Sequence, residues 1–136
     1  MKKNHVSVVT IALIIGLSLI SCEKQEGPGG TSSITGKVVV RQYNANFTAL
    51  LESPFYAPNE DVFIIYGDDP VFGDKTSTNY DGIYRFEYLR EGSYTVYAYS
   101  EDSANYPTQR EIAVMKQVEI TKRNQEVTVP NIIILK

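Results

Sequence analysis

The chain has 136 residues, with 13 Lys and Arg against 16 Asp and Glu and a formal net charge of −3. An acidic chain of this length fits one domain and is a poor candidate for nucleic-acid binding, which requires basic patches. Its only His is His5 and its only Cys is Cys22. Downstream of Cys22 this excludes Ser-His-Asp and Cys-His catalysis, zinc sites built on His or Cys, and disulfide bonds.

The first segment has the pattern of a secretory signal. A basic start precedes an apolar run over residues 6–20, which is shorter than the roughly 20 residues that span a bilayer. Its ending, Leu19-Ile20-Ser21-Cys22, resembles a bacterial lipobox, and that resemblance implies a signal peptide over residues 1–21 and a lipid on Cys22. The alternative is an ordinary signal peptide with an unrelated Cys, or an uncleaved anchor.

Residues 22–33 are polar and rich in Gly and Pro, which predicts a flexible tether before a domain that covers residues 34–136. Within the tether, Lys24-Gln25-Glu26 resembles the charged export signal of Bacteroidetes surface lipoproteins. A hydrophilic tether without that role fits equally well. The first predicted strand follows over residues 34–43, where apolar and polar side chains alternate.

The segment Asn44–Asn59 is long for a connection within a compact domain. It carries several apolar side chains, so we expect it to fold back on the domain, with a helical turn near Thr48–Glu52. Long loops on rigid scaffolds often carry function. A flap that covers one end of the core is the interpretation that we favour.

Asp61–Tyr66 is nearly all apolar and predicts a central strand, followed by a loop over Gly67–Lys75 and a short strand over Thr76–Asn79. The loop contains Asp68, Asp69 and Asp74. Carboxylates at loop tips can bind calcium, but these lack the spacing of a calcium loop, so we interpret them as solvated turn residues and predict no metal.

The stretch from Thr76 to Ser100 has the clearest pattern in the chain. After the turn dipeptide Asp81-Gly82, two runs alternate with a period of two, which is strand geometry. The first run predicts a buried face with Tyr84, Phe86 and Tyr88. The second places Tyr94, Val96 and Ala98 on one face and Thr95, Tyr97 and Tyr99 on the other.

This stretch resembles the carboxypeptidase regulatory-like and Cna-B-like domains, which are small prealbumin-type β-sandwiches. The resemblance implies that fold and, because such domains accompany many functions, little about activity. It implies turn roles for Gly82 and Gly92 and a buried Leu89 at the end of the core. The matching positions are Thr76, Thr78, Asp81, Gly82, Tyr84, Phe86, Leu89, Gly92, Tyr94 and Val96.

The last third of the chain predicts a strand over residues 110–120, a charged turn over residues 121–125 and a closing strand over residues 127–135. Pro130 within the closing strand indicates a sheet edge or a bulge. The whole pattern predicts an all-β fold, a seven-stranded Greek-key β-sandwich preceded by a lipoprotein signal peptide.

Two features are candidate sites besides Cys22. Tyr97 and Tyr99 lie opposite the core face of their strand, and exposed aromatic side chains there would contact a sugar or a peptide. Half-buried strand tyrosines are the interpretation that we favour, and the absence of Trp weakens a sugar site. The loop tripeptide Asp102-Ser103-Ala104 resembles the acceptor of Bacteroidetes O-glycosylation, which implies a glycan on Ser103. A plain turn is the alternative.

These observations favour a binding or accessory structural module that is not an enzyme and needs no cofactor. The resemblances imply a place at the outer membrane of a Gram-negative bacterium, lipid-anchored in the periplasmic or the cell-surface leaflet. We expect a glycan or an envelope protein as its partner and no nucleic acid. The alternative is an accessory subunit or an inhibitor of a partner enzyme. Carbohydrate binding is compatible with this alternative but is not required by it.

Overall fold

The computed structural model describes residues 25–136, so the predicted signal peptide and Cys22 lie outside the described residues. This part of the chain is all-β and forms two sheets in a sandwich-like arrangement. Within it, no helix has the length and apolar character needed to cross a bilayer. The strands are β1 (Pro28–Arg41), β2 (Phe55–Tyr56), β3 (Asp61–Tyr66), β4 (Asp74–Ser77), β5 (Ile83–Leu89), β6 (Gly92–Glu101), β7 (Glu111–Ile120), β8 (Glu126–Thr128) and β9 (Ile132–Leu135).

The first sheet is built on β1, the longest strand. β5 and the short β2 pair with it antiparallel, whereas β8 and β9 pair with it in parallel. The second sheet is antiparallel, with the strand order β4-β3-β6-β7. In this order β3 and β6 form the middle of the sheet. β6 pairs with β7 along its whole length.

The core lies between the two sheets, and alternation along each strand supplies it. Tyr84 and Phe86 of β5 are buried, as the period of two predicts. The prediction is also confirmed for the inward face of β6, where Tyr94, Val96 and Ala98 are buried. Because these residues face inward, the alternate side chains of β6 lie on the outer surface of the second sheet.

Tyr88 departs from this alternation, and its predicted burial is wrong. The register between β1 and β5 shifts between Ser32↔Leu89 and Ile34↔Phe86, so β5 contains one extra residue. Such a bulge bends a strand and re-aims side chains. Tyr88 has a φ of 58° and is 71% exposed, and Leu89 returns to the core as predicted.

The predicted tether is too long, because β1 begins at Pro28 rather than at Ile34. Ser32 and Ser33 are buried. The Ser32 hydroxyl donates to the carbonyl of Lys122 at 3.1 Å and accepts the N–H of Gln125 at 3.1 Å. Glycine and serine therefore belong to the sheet here, because neighbouring strands satisfy their polar groups.

The loop between β1 and β3 does not form the predicted flap or helical turn. The Asn44 side chain accepts the N–H groups of Thr48 and Ala49, and Tyr43 forms a β-bridge with Leu50. Most of its apolar side chains stay at the surface, and Leu51 is 61% exposed. The loop also supplies β2, the one strand that the sequence pattern did not predict.

The number of strands is nine in residues 25–136 rather than seven. One addition is β2. The other arises because the predicted closing strand divides into β8 and β9 around Pro130, where a residue without an N–H group interrupts the ladder. The fourth strand also begins at Asp74, two residues before its predicted start at Thr76.

Candidate functional site

The outer surface of the second sheet carries a continuous row of side chains. Phe63 of β3 is paired with Lys75 of β4 on one side and with Tyr97 of β6 on the other. Tyr97 is in turn paired with Met115 of β7. Residues in direct cross-strand register project from the same face of a sheet, so the four side chains cross all four strands in line.

Four rings form an aromatic cluster on this face: Phe63, Phe72, Tyr97 and Tyr99. Phe63 is its centre and stacks on Tyr97 with ring centroids 5.1 Å apart and an interplanar angle of 15°. Phe72, from the loop after β3, meets Phe63 edge-to-face at 5.0 Å. Tyr99 meets both Phe63 and Tyr97 edge-to-face at 5.6 Å. These geometries are the favourable ones for aromatic pairs.

Exposure divides the cluster into supporting and presented rings. Tyr97 is only 7% exposed, whereas Tyr99 is 48%, Phe72 49% and the neighbouring Met115 56% exposed. Burial, together with the neighbouring Tyr99, raises the pKa of Tyr97, so its hydroxyl stays neutral. The two candidate tyrosines therefore differ, because Tyr97 is buried beneath the surface and Tyr99 is exposed on it. Ligand contact stays a prediction, and its candidate is Tyr99.

An ion pair borders the aromatic cluster. Lys75 Nζ lies 2.9 Å from Asp61 Oδ2, and the Ser77 hydroxyl donates to Asp61 Oδ1 at 3.0 Å. Hydrogen bonds from Lys75 and Ser77 lower the pKa of Asp61. The carboxylate therefore stays ionised at neutral pH and holds the Lys75 ammonium beside the Phe63 ring, 5.9 Å from its centroid.

The same face continues into a polar depression of about 390 Å³ at the end of β3. On β6 the outward side is shared by Ser93, Thr95 and Tyr97, because alternate residues point the same way. Thr95 is paired with Gln117 of β7, and Ser93 with Glu119. The depression is lined by Gly67, Asp68, Ser93, Tyr94, Thr95, Gln117, Val118 and Glu119.

The predicted glycosylation tripeptide lies at the start of the loop between β6 and β7. Asp102 is buried, and its carboxylate accepts the N–H groups of Ala104 and Asn105 at 2.9 and 3.2 Å and the Asn105 side-chain amide at 2.8 Å. These hydrogen bonds, led by the one from the Asn105 side chain, lower the pKa of Asp102. The turn interpretation therefore describes Asp102, while Ser103 beside it is exposed.

The acidic side chains that follow β3 do not gather into one group. Within residues 25–136, no three His, Cys, Asp or Glu side chains converge as cation ligands. Asp74 instead accepts the backbone N–H of Lys75 at 2.7 Å. Asp68 borders the polar depression.

The sequence pattern did not single out Phe63, Phe72 or Met115 as site residues. Phe63 belongs to the apolar run Asp61–Tyr66, which predicted a central strand, and Phe72 belongs to a loop. They join Tyr99 only because β3 lies next to β6, although β4 and β5 separate them in the chain. Because residues 62–66 are all apolar, the run has no alternation that would single out Phe63. Its outward position follows only from the burial of Val62 and Ile64 in the structure.

A second exposed apolar patch lies on the long loop and β2. Leu50 is 44%, Leu51 61%, Phe55 39% and Tyr56 48% exposed. The Lys37 ammonium lies 4.3 Å from the centroid of the Tyr56 ring, a cation–π contact that fixes this ring against the first sheet. This patch lacks the stacked, mutually supported rings of the aromatic cluster.

No family model matches the chain, and no curated protein matches it. Among solved structures, the chain is similar to a "putative carbohydrate binding protein" from Pseudomonas aeruginosa, with 16% sequence identity and a TM-score of 0.47 over 76% of this chain and 90% of that one. A likeness at this level carries no inference about ligand or activity.

Proposed function

We propose that this protein is a non-enzymatic binding module of the cell envelope, and that its aromatic cluster binds a glycan. The observation that carries the proposal is the pair of presented rings, Phe72 and Tyr99, held on one surface by Phe63 and the buried Tyr97. Rings fixed by packing lose little conformational entropy when a ligand binds.

The chemistry of the face suits a sugar. The C–H face of a pyranose ring is apolar and flat, so it packs against an aromatic ring, while its hydroxyls need hydrogen-bond partners around that ring. The face offers both, because the rings lie at one end and the Thr95 hydroxyl and Gln117 amide lie two residues along β6 and β7 from Tyr97 and Met115, within reach of a ligand longer than one sugar. Tyr99 adds a phenolic hydroxyl.

Two carboxylates, Asp61 and Asp102, have a structural role that fits a binding module. A glycosidase needs a carboxylic acid whose pKa is raised so that it can donate a proton. The pKa values of Asp61 and Asp102 are instead lowered. Asp61 accepts hydrogen bonds from Lys75 and Ser77 of the neighbouring strand β4, and Asp102 accepts them from Ala104 and Asn105 of its own loop.

The anchor and the finer fold assignment belong to the same proposal. A lipid on Cys22 would hold the module at the outer membrane, and Lys24-Gln25-Glu26 would direct it to the cell surface. A prealbumin-type Greek-key sandwich agrees with two sheets and with the positions of Gly82, Leu89 and Gly92. A glycan on Ser103 stays a prediction, which the intact mass of wild-type and Ser103→Ala protein from the native host would check.

Affinity electrophoresis tests the ligand face. Gels would contain a soluble neutral polysaccharide, namely starch, xylan, mixed-linkage β-glucan or galactomannan. We expect at least one of them to retard the wild-type protein, and Tyr99→Ala and Phe72→Ala to abolish the retardation. Tyr80→Ala and Tyr88→Ala are matched controls, because these rings are 91% and 71% exposed but lie elsewhere. Equal retardation of all four variants, or none of the wild type, would overturn the proposal.

A second candidate function is an accessory subunit or inhibitor that docks on a partner enzyme. The exposed Leu50, Leu51, Phe55 and Tyr56 favour it, since several large apolar side chains exposed on one loop are typical of a protein-contact surface. A pulldown from solubilised envelope distinguishes the two functions. A partner lost in Leu51→Asp but kept in Tyr99→Ala would support docking through the loop, whereas one lost only in Tyr99→Ala would not.

A further inference from the structure

The polar depression and the aromatic cluster share one surface. Ser93, Thr95, Tyr97 and Tyr99 alternate along the outward side of β6, between β3 and β7. From Ser93 to Tyr99 a strand covers about 20 Å, at roughly 3.3 Å per residue. One end of this surface presents aromatic rings, and the other presents the hydroxyls of Ser93 and Thr95 and the Gln117 amide around the depression. The combined surface is longer than a single sugar ring.

The charges on this surface have mostly one sign. Asp68 and Glu119 line the depression. At the aromatic end, Glu101 and Glu111 are cross-strand partners and both are exposed. The ammonium of Lys75 is already held by Asp61 at 2.9 Å. A ligand that carries carboxylates or sulfates would meet uncompensated like charges along the whole surface, which disfavours its approach and its binding.

We infer that the ligand of this face is a chain of several neutral sugars that lies along β6, with one sugar on the Phe72–Tyr99 end and another in the depression, and that acidic glycans are rejected. This inference rests on the proposed function and deepens it. The aromatic end supplies stacking, and the depression supplies hydrogen bonds and the charge that discriminates against acidic chains.

Chain length is the first test. Fragments of one to six sugars would be prepared from the polysaccharide that retards the wild-type protein, and their Kd would be measured by calorimetry. Affinity should rise with length and level off once the chain covers both ends. Thr95→Val keeps the shape of the side chain but removes its hydroxyl. It should weaken the binding of the longest fragment about tenfold, which corresponds to the loss of roughly one net hydrogen bond. The binding of the shortest fragments should stay unchanged.

Charge is the second test. A carboxymethylated form of the same polysaccharide keeps the backbone of the ligand and adds carboxylates. We expect it to bind at least about tenfold more weakly than the neutral form, with the difference shrinking at high salt. In the double variant Asp68→Asn, Glu119→Gln, the ratio of the Kd for the carboxymethylated chain to the Kd for the neutral chain should be smaller than in the wild type.

The outcomes separate this inference from the proposed function. If Tyr99→Ala weakens binding but affinity does not depend on length and Thr95→Val has no effect, the aromatic cluster binds a glycan and the extended site is wrong. Equal affinity for the carboxymethylated and neutral chains would overturn the charge selection. If Tyr99→Ala has no effect on any fragment, the proposed function itself fails.

Discussion

Tyr84 shows how a single pair of residues shapes the core. It lies opposite Gly36 across the β1–β5 ladder, and a Cβ atom at Gly36 would come within 2.3 Å of the Tyr84 hydroxyl. Because Gly36 has no side chain, the end of the Tyr84 ring fits against the backbone of β1. The hydroxyl is buried and has no hydrogen-bond partner among the described residues, and burial raises its pKa well above that of a free tyrosine.

The pH dependence of stability tests this description. The folded protein keeps Tyr84 protonated, whereas the unfolded chain releases the proton near pH ~10. The protonated Tyr84 side chain therefore makes its full contribution to the free energy of unfolding below about pH 10. That free energy falls as the pH rises above this value. In Tyr84→Phe the free energy of unfolding should fall less steeply as the pH rises above about 10. The substitution should leave the free energy of unfolding at pH ~7 unchanged or about 1 kcal/mol higher, because an unpartnered polar atom is removed.

Urea denaturation across this pH range measures the effect, with Tyr80→Phe as the control for an exposed ring. A clear loss of stability at neutral pH in Tyr84→Phe would mean that the hydroxyl has a hydrogen-bond partner after all.

At the scale of the elements, local alternation predicts strands well but not their limits. Tyr84 and Phe86 are buried as their spacing predicts, because a period of two is a local property of the chain. The bulge at Tyr88 and the early start of β1 depend on partners that are distant in sequence. Residues 28–33 read as a linker because Gly and Ser disfavour isolated strands, yet pairing with two other strands overrides that preference.

Two truncated proteins test whether residues 25–33 are part of the fold. A chain that begins at residue 25 should be as stable as the longer protein. One that begins at residue 34 loses both hydrogen bonds of the Ser32 side chain and the one from the Ser33 N–H to Gln125. We expect it to be less stable by at least about 3 kcal/mol, at roughly 1 kcal/mol for each bond. Equal denaturation midpoints for the two truncated proteins would mean that residues 25–33 are a tether that does not stabilise the fold.

At the scale of the whole molecule, the docked N-terminal segment has a consequence for the proposed anchor. The Gly27 N–H donates to the Tyr94 hydroxyl at 3.1 Å, and its carbonyl accepts the Arg90 N–H at 3.0 Å. Cys22 precedes Gln25 by three residues, which reach about 10 Å at most. A lipid on Cys22 would therefore place the end of the sandwich with Arg90–Gly92 beside the bilayer and the long loop at the far end.

Depth-dependent fluorescence quenching in liposomes tests this orientation. With Cys22 lipidated, as verified by mass, a single added Cys at Glu91 or at Ala45 carries the dye, since both positions are exposed. We expect quenchers in the lipid headgroup region to quench the dye at position 91 much more strongly than the dye at position 45. Equal quenching of the two dyes would contradict the short connection to the membrane.

The candidate site was only partly predictable, because it depends on the order of strands in a sheet. The outward parity of Tyr99 follows from alternation within β6. Phe63 and Met115 reach the same surface through neighbouring strands, and that neighbourhood is set by the packing of the whole chain rather than by local sequence. Tyr97 has the same parity as Tyr99 but is buried, because Phe63 stacks on it.

Met115 offers the most direct measurement of the central claim that the outer face of the second sheet binds the ligand. The chain has two Met residues, and the other, Met1, belongs to the predicted signal peptide. Methyl-labelled methionine in the mature protein would thus give one NMR signal, from a side chain that is 56% exposed beside Tyr97. Titration with the glycan that retards the protein should shift this signal in the wild type and in Tyr80→Ala, but not in Tyr99→Ala. Binding that saturates while the Met115 signal stays in place would contradict the claim.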